Sequence, residues 1–435
     1  MDSIEIMPPD PGTTTIAVVG GGYRGSTLAR HAVESGQGRV TAVAEPNQGR
    51  RKALMEFHGL DSAQAHESWE QLASRERLAE AAIVATQDNE HTEPAIALAE
   101  RGYHVLLEKP MAGNESDADR IVRTARECGV LLAVCLVLRY SPYARRVREV
   151  IDSGILGEIV SVEHLEPVGW WHQAHSYVRG PWRKESASSP MLLAKSVHDI
   201  DWIIDIVGHR ARRVSSFGSL YHFRPEQAPA GAADNCLDCP VEPTCPYSAP
   251  RLYLSCLGDP GTEDWPLSTV TNARTPEGVL KALRTSPYGG CVYHSDNDVV
   301  DHQVVSLEFE KGITASFTMA AFTPMSSRQT RIFGTHGYAE GDGHQIRVHD
   351  FRTRDHQLLE DLDEQELVGA HGGGDRGIVV AFLDAVARDD ASALAPPEGS
   401  LESHRVAWAA EEARRRGKVV DLAPDGARPL ETKGK

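Results

Sequence analysis

The chain has 435 residues, of which 41% are hydrophobic, and its formal net charge is -17. A chain of this length buries a large core and divides into about two domains. The negative charge disfavours phosphate backbones and anionic lipid, so neither nucleic acid nor a membrane is an expected partner. The first residues carry no basic segment followed by an apolar one, which predicts a cytoplasmic protein without a signal peptide.

Short apolar runs alternate with helical stretches up to residue 138. The alternation is typical of β-α-β units on a parallel sheet and predicts a doubly wound domain over 1–138. The predicted strands cover 16–19, 40–44, 82–85, 105–107 and 131–138, and the predicted helices cover 26–34, 50–57, 93–101 and 117–127.

A G-x-G-x-x-G motif follows the first predicted strand and opens the first helix, with its glycines at Gly20, Gly22 and Gly25. Such a loop permits a tight turn, close approach of a pyrophosphate and close packing of helix on strand. Tyr23 and Arg24 lie inside the motif and are further candidate contacts. The motif predicts dinucleotide binding.

Glu45 ends the second predicted strand, twenty residues after Gly25. A carboxylate at this place accepts hydrogen bonds from ribose hydroxyls and repels a 2′-phosphate, which favours NAD over NADP. Arg50 and Arg51 follow closely and weaken that preference. NAD is therefore the expected cofactor, with NADP as the alternative.

The second half of the chain has strands that follow one another with few helices between them. This order predicts a mainly antiparallel sheet in a second α/β domain over 139–421, followed by a disordered tail over 422–435. A stretch over about 221–298, rich in Pro, Gly and Cys, is interpreted as an irregular insertion. The predicted strands cover 159–165, 304–309, 314–319 and 330–333, and the predicted helices cover 143–153 and 197–207.

Several short motifs together resemble the Gfo/Idh/MocA family of oxidoreductases. They are the glycine motif, Glu108-Lys109-Pro110, His198-Asp199-Ile200-Asp201, Gly334-Thr335-His336-Gly337 and His371-Gly372-Gly373-Gly374-Asp375. The resemblance spans nearly the whole chain. It implies a Rossmann domain, a second α/β domain whose open sheet lines the active site, and a homo-oligomer, either a dimer or a tetramer.

The resemblance also implies roles for individual residues. Lys109, at the carboxyl end of a parallel strand, and His198 are the expected catalytic residues, with Lys109 holding a substrate hydroxyl or taking its proton. Many family members have an aspartate where this chain has Ala194. Either Lys109 and His198 suffice for proton transfer, or Lys195 or Asp199 supplies the missing polar group. Thr86, His91, Glu108 and Lys109 itself join the expected cofactor contacts. The structural alternatives are a surface lysine before a turn, and a histidine that caps its helix beside solvated Asp199 and Asp201.

The segment 170–183 concentrates aromatic and hydrogen-bonding side chains, the mixture that binds sugars. A packing loop with buried tryptophans is the alternative. The candidate substrate contacts are Arg139, His172, His175, Tyr177, Arg179, Lys195, Asp199 and His302.

Three cysteines cluster in the insertion as Cys236-x2-Cys239-x5-Cys245. Two cysteines at this spacing can bind zinc, and an irregular segment gains stability from such a site. The fourth ligand is open between Cys291, which is preferred, and Cys256. The sequence thus offers a possible structural zinc, with reduced, unligated cysteines as the alternative.

Three functions remain in view. The leading hypothesis is a nicotinamide-dependent oxidoreductase that moves a hydride to or from a secondary hydroxyl of a sugar, cyclitol or glycoside. The second is an NAD-dependent glycosidase that oxidises its substrate transiently, eliminates the aglycone, adds water and reduces the product. The third is a non-catalytic dinucleotide-binding regulator, against which the presence of Lys109 and His198 argues.

Overall fold

The computed structural model describes residues 12–359 and 371–422. The chain divides into two compact units, Met1–Glu149 with Asp361–Arg405 and Val150–Glu360 with Val406–Lys435. All but the first residue of the tail expected over 422–435 lies outside the described residues. Within the described ranges, no helix combines the length and the apolar character needed to cross a membrane.

The first unit is built on a parallel sheet of six strands. Its order is β3-β2-β1-β4-β5-β6, so the direction of strand succession reverses between β1 and β4. The central strands are buried on both faces, which explains their unbroken apolar runs. The strands are β1 Thr14–Val19, β2 Gly38–Ala44, β3 Ala65–His66, β4 Ala81–Val84, β5 His104–Leu107 and β6 Leu132–Val134. The expected Rossmann topology is confirmed, and ligands of such sheets bind beyond the carboxyl ends of the strands.

The core of the first unit includes a helix from late in the chain. Leu28 and Ala32 of the first helix share a buried cluster with Ile378 and Phe382. The helices that lie in this unit, or begin in it, are Tyr23–Glu34, Gln48–His58, Trp69–Ala73, Thr92–Glu100, Glu115–Glu127, Pro142–Asp152, Gly374–Arg388 and Pro397–Arg416. The return of the chain to this unit was not expected from the sequence, because no local pattern reports a contact between segments so far apart.

The predicted strand over 131–138 is wrong in extent. Only Leu132–Val134 is a strand, and a 3-10 turn follows at Val137–Tyr140. Leu136 has φ -83° and ψ 68°, outside the strand region, yet it is 1% exposed. The apolar run therefore indicates that the segment is buried, not that all of it is a strand. Over so short a segment, the hydrophobic pattern cannot separate the two.

The second unit contains a sheet of nine strands in the order β14-β13-β12-β11-β7-β10-β9-β8-β15. All neighbouring pairs are antiparallel except β7 and β10. Buried and exposed residues alternate along β9, so one face is covered and the other is open. The strands are β7 Ile159–Pro167, β8 Ala211–Ser219, β9 His302–Phe309, β10 Thr314–Ala320, β11 Gln329–Gly334, β12 Gly337–Gly341, β13 Ile346–Asp350, β14 His356–Leu359 and β15 Val420–Asp421. The mainly antiparallel open sheet is confirmed.

The insertion over 221–298 is more ordered than its composition suggested. Its helices have a small core of their own, in which Tyr253, Leu267 and Leu283 are fully buried. The α-helices of the second unit are Trp170–His172, Met191–Ala194, Val197–Val207, Ala249–Leu254, Pro260–Thr262, Ser268–Val270 and Pro276–Thr285. These short helices were not expected from the sequence, because short helices separated by Pro and Gly leave little periodic signal.

Candidate active site

The loop between β1 and the helix Tyr23–Glu34 needs its glycines for different reasons. Gly20 has φ +93°, and a Cβ at this position would lie 2.4 Å from the carbonyl oxygen of Ala85. A Cβ on Gly25 would lie 1.9 Å from the carbonyl oxygen of Gly20, so the helix can approach the loop only without a side chain. Around Gly22, no described atom lies within 4 Å of such a Cβ. Gly20 and Gly25 are therefore needed for the close packing of the backbone, whereas the space beside Gly22 is open.

This loop fits the pyrophosphate of a dinucleotide. Gly22 is the N-cap of the helix and offers no side chain to the first-turn N–H groups. Those N–H groups and the helix dipole attract an anion, and the open space at Gly22 lets one approach the backbone.

Glu45 follows β2 and is turned toward the same loop. Its Oε2 accepts from the backbone N–H of Gly21 at 2.5 Å, and its Oε1 accepts from that of Asn47 at 2.8 Å. Arg51 donates to the carbonyl oxygen of Glu45 at 2.6 Å and also pairs with Glu67, while Arg50 is exposed. The carboxylate is therefore held beside the glycine-rich loop, where it can meet ribose hydroxyls.

Arg24 links this loop to the Lys109 segment. It donates from Nε to Glu108 at 2.7 Å and from Nη2 to Asp375 at 2.7 Å, and Asp375 also meets Nδ1 of His371 at 2.9 Å. Burial opposes these charges, but Arg24 and His371 hold the pKa of Asp375 well below its usual range. Burial likewise opposes the guanidinium, yet Asp375 and Glu108 raise the pKa of Arg24. Arg24 is thus occupied by two carboxylates.

Lys109 lies in the turn that follows β5, at the same sheet edge as the glycine-rich loop. Its side chain is half-buried. His91 is 1% exposed, and its ring nitrogens lie 2.7 Å from the carbonyl oxygen of Pro110 and 3.2 Å from that of Thr86. The structure therefore brings Thr86, His91 and Lys109 together, as the carboxyl ends of neighbouring parallel strands would do.

The second unit contains a buried charge cluster, formed by Glu166, Lys195, Asp199 and Arg328. Lys195 Nζ lies 3.1 Å from Glu166 Oε1. Arg328 Nε lies 2.9 Å from Glu166 Oε2 and donates to Asp199 Oδ1 at 2.5 Å. The two carboxylate side chains are 4% and 0% exposed, against 16% and 15% for Lys195 and Arg328. The positive groups are the accessible part of the cluster.

His164 contacts the cluster through Asp199. Its Nε2 lies 2.9 Å from Asp199 Oδ1, and its Nδ1 lies 2.9 Å from the hydroxyl oxygen of Thr330. Trp202 donates from Nε1 to the same hydroxyl oxygen at 3.1 Å. The ring of His164 therefore links the carboxylate of Asp199 to Thr330.

His198 lies next to the cluster, in the first turn of the helix Val197–Val207. It is 2% exposed, and the N-cap position belongs to Ser196, so His198 does not cap the helix. Asp199 and Asp201 are both fully buried, which rules out the interpretation of solvated first-turn acids. Burial opposes the charge of Asp199, yet Arg328 and His164 lower the pKa of this carboxyl group.

The segment 170–183 is largely helical, because Trp170–His172 continues as a π-helix over Gln173–Arg179. His175 meets Tyr253 Oη at 2.7 Å, and burial together with Arg179 lowers its pKa to about 3. Arg179 donates to the carbonyl oxygens of Gly290 and Tyr247, each at 2.7 Å. The packing interpretation therefore holds for His175 and Arg179, whose polar atoms are used inside the unit.

Tyr177 and His172 lie in the same helical segment with their ring centroids 5.7 Å apart. Tyr177 is 5% exposed. Burial opposes the charge of Arg328, but Asp199 and Glu166 raise the pKa of Arg328, and nearby Tyr177 makes a smaller contribution in the same direction. Arg139 is half-buried in the turn Val137–Tyr140 of the first unit. Of the predicted substrate contacts, Tyr177, Lys195 and Asp199 are thus gathered around one cluster.

His302 lies on the opposite face of the second sheet from Glu166. The register pairs Glu166 with Met319 and Met319 with Gln303, so His302, the neighbour of Gln303, points the other way. Its Nδ1 meets Asp301 Oδ1 at 2.8 Å. The structure therefore separates His302 from the buried charge cluster.

The four cysteines predicted as zinc ligands, Cys236, Cys239, Cys245 and Cys291, line one cavity together with Arg179. Even so, in the part of the chain that the structure describes, no group of three or more Cys, His, Asp or Glu side chains is arranged to hold a metal ion. Burial raises the pKa values of Cys245 and Cys291. The predicted zinc is not supported.

Glu166, His164 and Arg328 were missed as candidates from the sequence. A signal for the first two exists, because Val162, His164 and Glu166 share the buried face of β7, and a charge on a buried face is unusual. Arg328 precedes β11 directly and carries no local signal.

Two family models cover most of the chain. Residues 14–136 match the model described as the oxidoreductase family with an NAD-binding Rossmann fold, and residues 148–422 match the model of the C-terminal α/β domain of the same family.

Curated relatives and solved structures agree with this assignment. The chain is 32% identical to a 2,7-anhydro-N-acetylneuraminate hydratase of Mediterraneibacter gnavus, over 47% of this chain and 52% of the hydratase. It is 24% identical to a myo-inositol 2-dehydrogenase of Thermotoga maritima, over 47% of this chain and 58% of that enzyme. It thus spans about half the length of these two relatives. A levoglucosan dehydrogenase in complex with NADH and levoglucosan shares the fold at a TM-score of 0.69 and 17% identity, over 94% of this chain and 99% of the other. The chain therefore belongs to the Gfo/Idh/MocA family of oxidoreductases.

Proposed function

We propose that the protein transfers a hydride between NAD and a secondary hydroxyl of a sugar, cyclitol or glycoside, with Lys109 and His198 handling the hydroxyl proton. One observation carries the proposal. The glycine-rich loop, Glu45, Thr86 and Lys109 all lie at the carboxyl edge of one parallel sheet, where such sheets bind their ligands.

The residues of the first unit suit a dinucleotide. Bound NAD supplies a hydride acceptor, and the protein contributes binding and orientation. Gly22 leaves room for the pyrophosphate, and the carboxylate of Glu45 accepts hydrogen bonds from the ribose hydroxyls. NAD is preferred over NADP in this proposal because Glu45 would repel a 2′-phosphate and Arg51 is already bound to Glu45 and Glu67.

The buried charge cluster supports a polyhydroxylated small molecule as substrate. Lys195 presents an ammonium group that Glu166 holds in place, and Tyr177 and Arg328 lie nearby. Donors fixed in this way can orient several hydroxyl groups at once. Arg139 and His172 remain in the proposed substrate set, whereas His175, Arg179 and His302 are left out. A homo-oligomer stays part of the proposal through family membership.

The second candidate is the redox-neutral cleavage of a glycoside. The observation in its favour is the similarity to 2,7-anhydro-N-acetylneuraminate hydratases, of which a second one, from Escherichia coli, is 30% identical over 48% of this chain. This reaction would use the same Lys109 and His198 but would leave NAD in its starting state.

The two candidates are separated by following NADH absorbance and aglycone release together. The purified protein is incubated with NAD and with myo-inositol, levoglucosan or p-nitrophenyl glycosides. Accumulation of NADH supports the dehydrogenase, and release of p-nitrophenol without NADH supports the glycosidase. Lys109→Met and His198→Asn are tested separately, and full turnover in both variants would overturn the proposed roles.

A further inference from the structure

A fully buried histidine holds the backbone directly after Lys109. His404 lies in the helix Pro397–Arg416 and is 0% exposed. Its Nε2 accepts from the backbone N–H of Met111 at 2.8 Å, and its Nδ1 lies 2.7 Å from the carbonyl oxygen of Ser400. Met111 and His404 both belong to the first unit, although 293 positions separate them.

The partners of His404 determine its protonation. The N–H of Met111 is a donor, so Nε2 carries no hydrogen, and the carbonyl of Ser400 is an acceptor, so Nδ1 carries one. Burial, with smaller contributions from Lys109 and His91, lowers the pKa of His404 to about 4 against the opposing bond to Ser400. The ring is therefore neutral near pH 7 and retains its bond to Met111.

The rest of the Lys109 turn is held in a similar way. The backbone N–H of Lys109 donates to Glu108 Oε2 at 2.9 Å, and Arg24 holds the other oxygen of that carboxylate. His91 contacts the carbonyl oxygen of Pro110. Each residue from 108 to 111 thus has a backbone or side-chain group fixed by a hydrogen bond. His404 supplies the bond that lies on the C-terminal side of Lys109.

We infer that His404 is a positioning residue for Lys109, holding the turn so that the lysine ammonium stays in one place. The functional consequence rests on the proposed role of Lys109 in proton handling. A displacement of about 1 Å at a catalytic group can lower turnover roughly a hundredfold. A buried histidine with both nitrogens bonded restrains the backbone more narrowly than an apolar residue of the same size.

Three variants of the full chain test the inference. His404→Leu removes the acceptor of the Met111 N–H, and His404→Gln returns an acceptor oxygen near the place of Nε2. His104→Leu is the matched control, since His104 Nδ1 accepts from the backbone N–H of Leu131 at 3.0 Å. That bond lies at the start of β5, the end opposite Lys109.

Two readouts need no substrate. The first is hydrogen exchange of the peptide that contains Met111. The second is the rate at which acetic anhydride labels Lys109, measured by mass spectrometry against exposed Lys52 in the same sample. His404→Leu is expected to raise exchange at Met111 and to change Lys109 labelling by about threefold or more through local opening. His404→Gln and His104→Leu should leave Lys109 labelling within about twofold of the original chain.

Turnover is then measured with NAD and the polyols and glycosides used above. His404→Leu is expected to lower kcat about tenfold or more with little change in KM, and His404→Gln to restore most of it. Unchanged Lys109 labelling in His404→Leu, or an equal change in His104→Leu, would overturn the inference. If labelling changes as expected but Lys109→Met retains full turnover, the proposed role of Lys109 fails and the consequence for catalysis fails with it.

Discussion

Arg328 donates through Nε to Asp199 Oδ1 over 2.5 Å, and the same nitrogen lies 2.9 Å from Glu166. One guanidinium group thus compensates two carboxylates that are 0% and 4% exposed. Glu166 in turn holds Lys195, and Asp199 is the residue after His198. The proposed proton-handling histidine and a proposed substrate ligand are therefore tied to a single arginine.

Replacement of Arg328 should be strongly destabilising. Arg328→Met leaves the buried carboxylate of Asp199 without its cation and Glu166 with Lys195 alone, a loss of about 3–5 kcal/mol in the free energy of unfolding. Arg331→Met is the matched control, because Arg331 pairs with Glu163 in an exposed bridge, at 56% and 49% exposure, whose loss changes stability by less than about 1 kcal/mol. Urea denaturation followed by tryptophan fluorescence measures both. Equal losses in the two variants would contradict the importance of the cluster.

Two glycines of the dinucleotide loop should respond oppositely to alanine. Gly22→Ala meets no described atom within 4 Å, so the fold should keep its stability while NADH binds about tenfold more weakly. Gly25→Ala places a Cβ 1.9 Å from the carbonyl oxygen of Gly20, so this variant should unfold more easily in the absence of cofactor. Thermal denaturation and NADH fluorescence titration separate the effects. Tight NADH binding by Gly22→Ala would show that the pyrophosphate does not approach this glycine.

Glu45 should control the choice between the two dinucleotides. Glu45→Gln removes the charge that repels a 2′-phosphate, so affinity for NADH should fall about tenfold and the ratio of NADPH to NADH affinity should rise. Glu67→Gln is the control, since Glu67 is 71% exposed and contacts Arg51 from outside the loop. Titrations with both reduced dinucleotides measure the ratio. If the ratio of NADPH to NADH affinity is the same in Glu45→Gln as in the original chain, Glu45 does not contact the ribose.

Burial of His175 predicts acid sensitivity. Its pKa is lowered to about 3 in the folded protein, against an ordinary value of 6.5. Between these pH values the unfolded chain binds a proton that the native chain does not, so stability falls as pH drops below about 6.5, by up to about 1.4 kcal/mol per pH unit. His175→Gln cannot take up this proton and should give a flatter dependence of unfolding free energy on pH. Parallel curves for the two proteins between about pH 7 and pH 5 would refute the assignment.

The sequence by itself determined the parts that depend on local pattern. The spacing of Gly20, Gly22 and Gly25 after an apolar run predicted the strand, turn and helix that the structure contains. The helix Val197–Val207 was predicted with its bounds, since its apolar spacing and the glycine at its C-cap are both local signals. The alternation of short runs was enough for a doubly wound sheet, because strands buried on both faces must be apolar throughout.

Tertiary structure alone decided which polar residues face the proposed site and which are used for packing. No local pattern distinguishes Arg179 from Arg328. Arg179 donates to backbone carbonyl oxygens inside the second unit, whereas Arg328 compensates two carboxylates. His404 carried no signal, because its partner Met111 is 293 positions away. Such contacts depend on which distant segments meet after folding, and a local pattern of residue types gives no information about that.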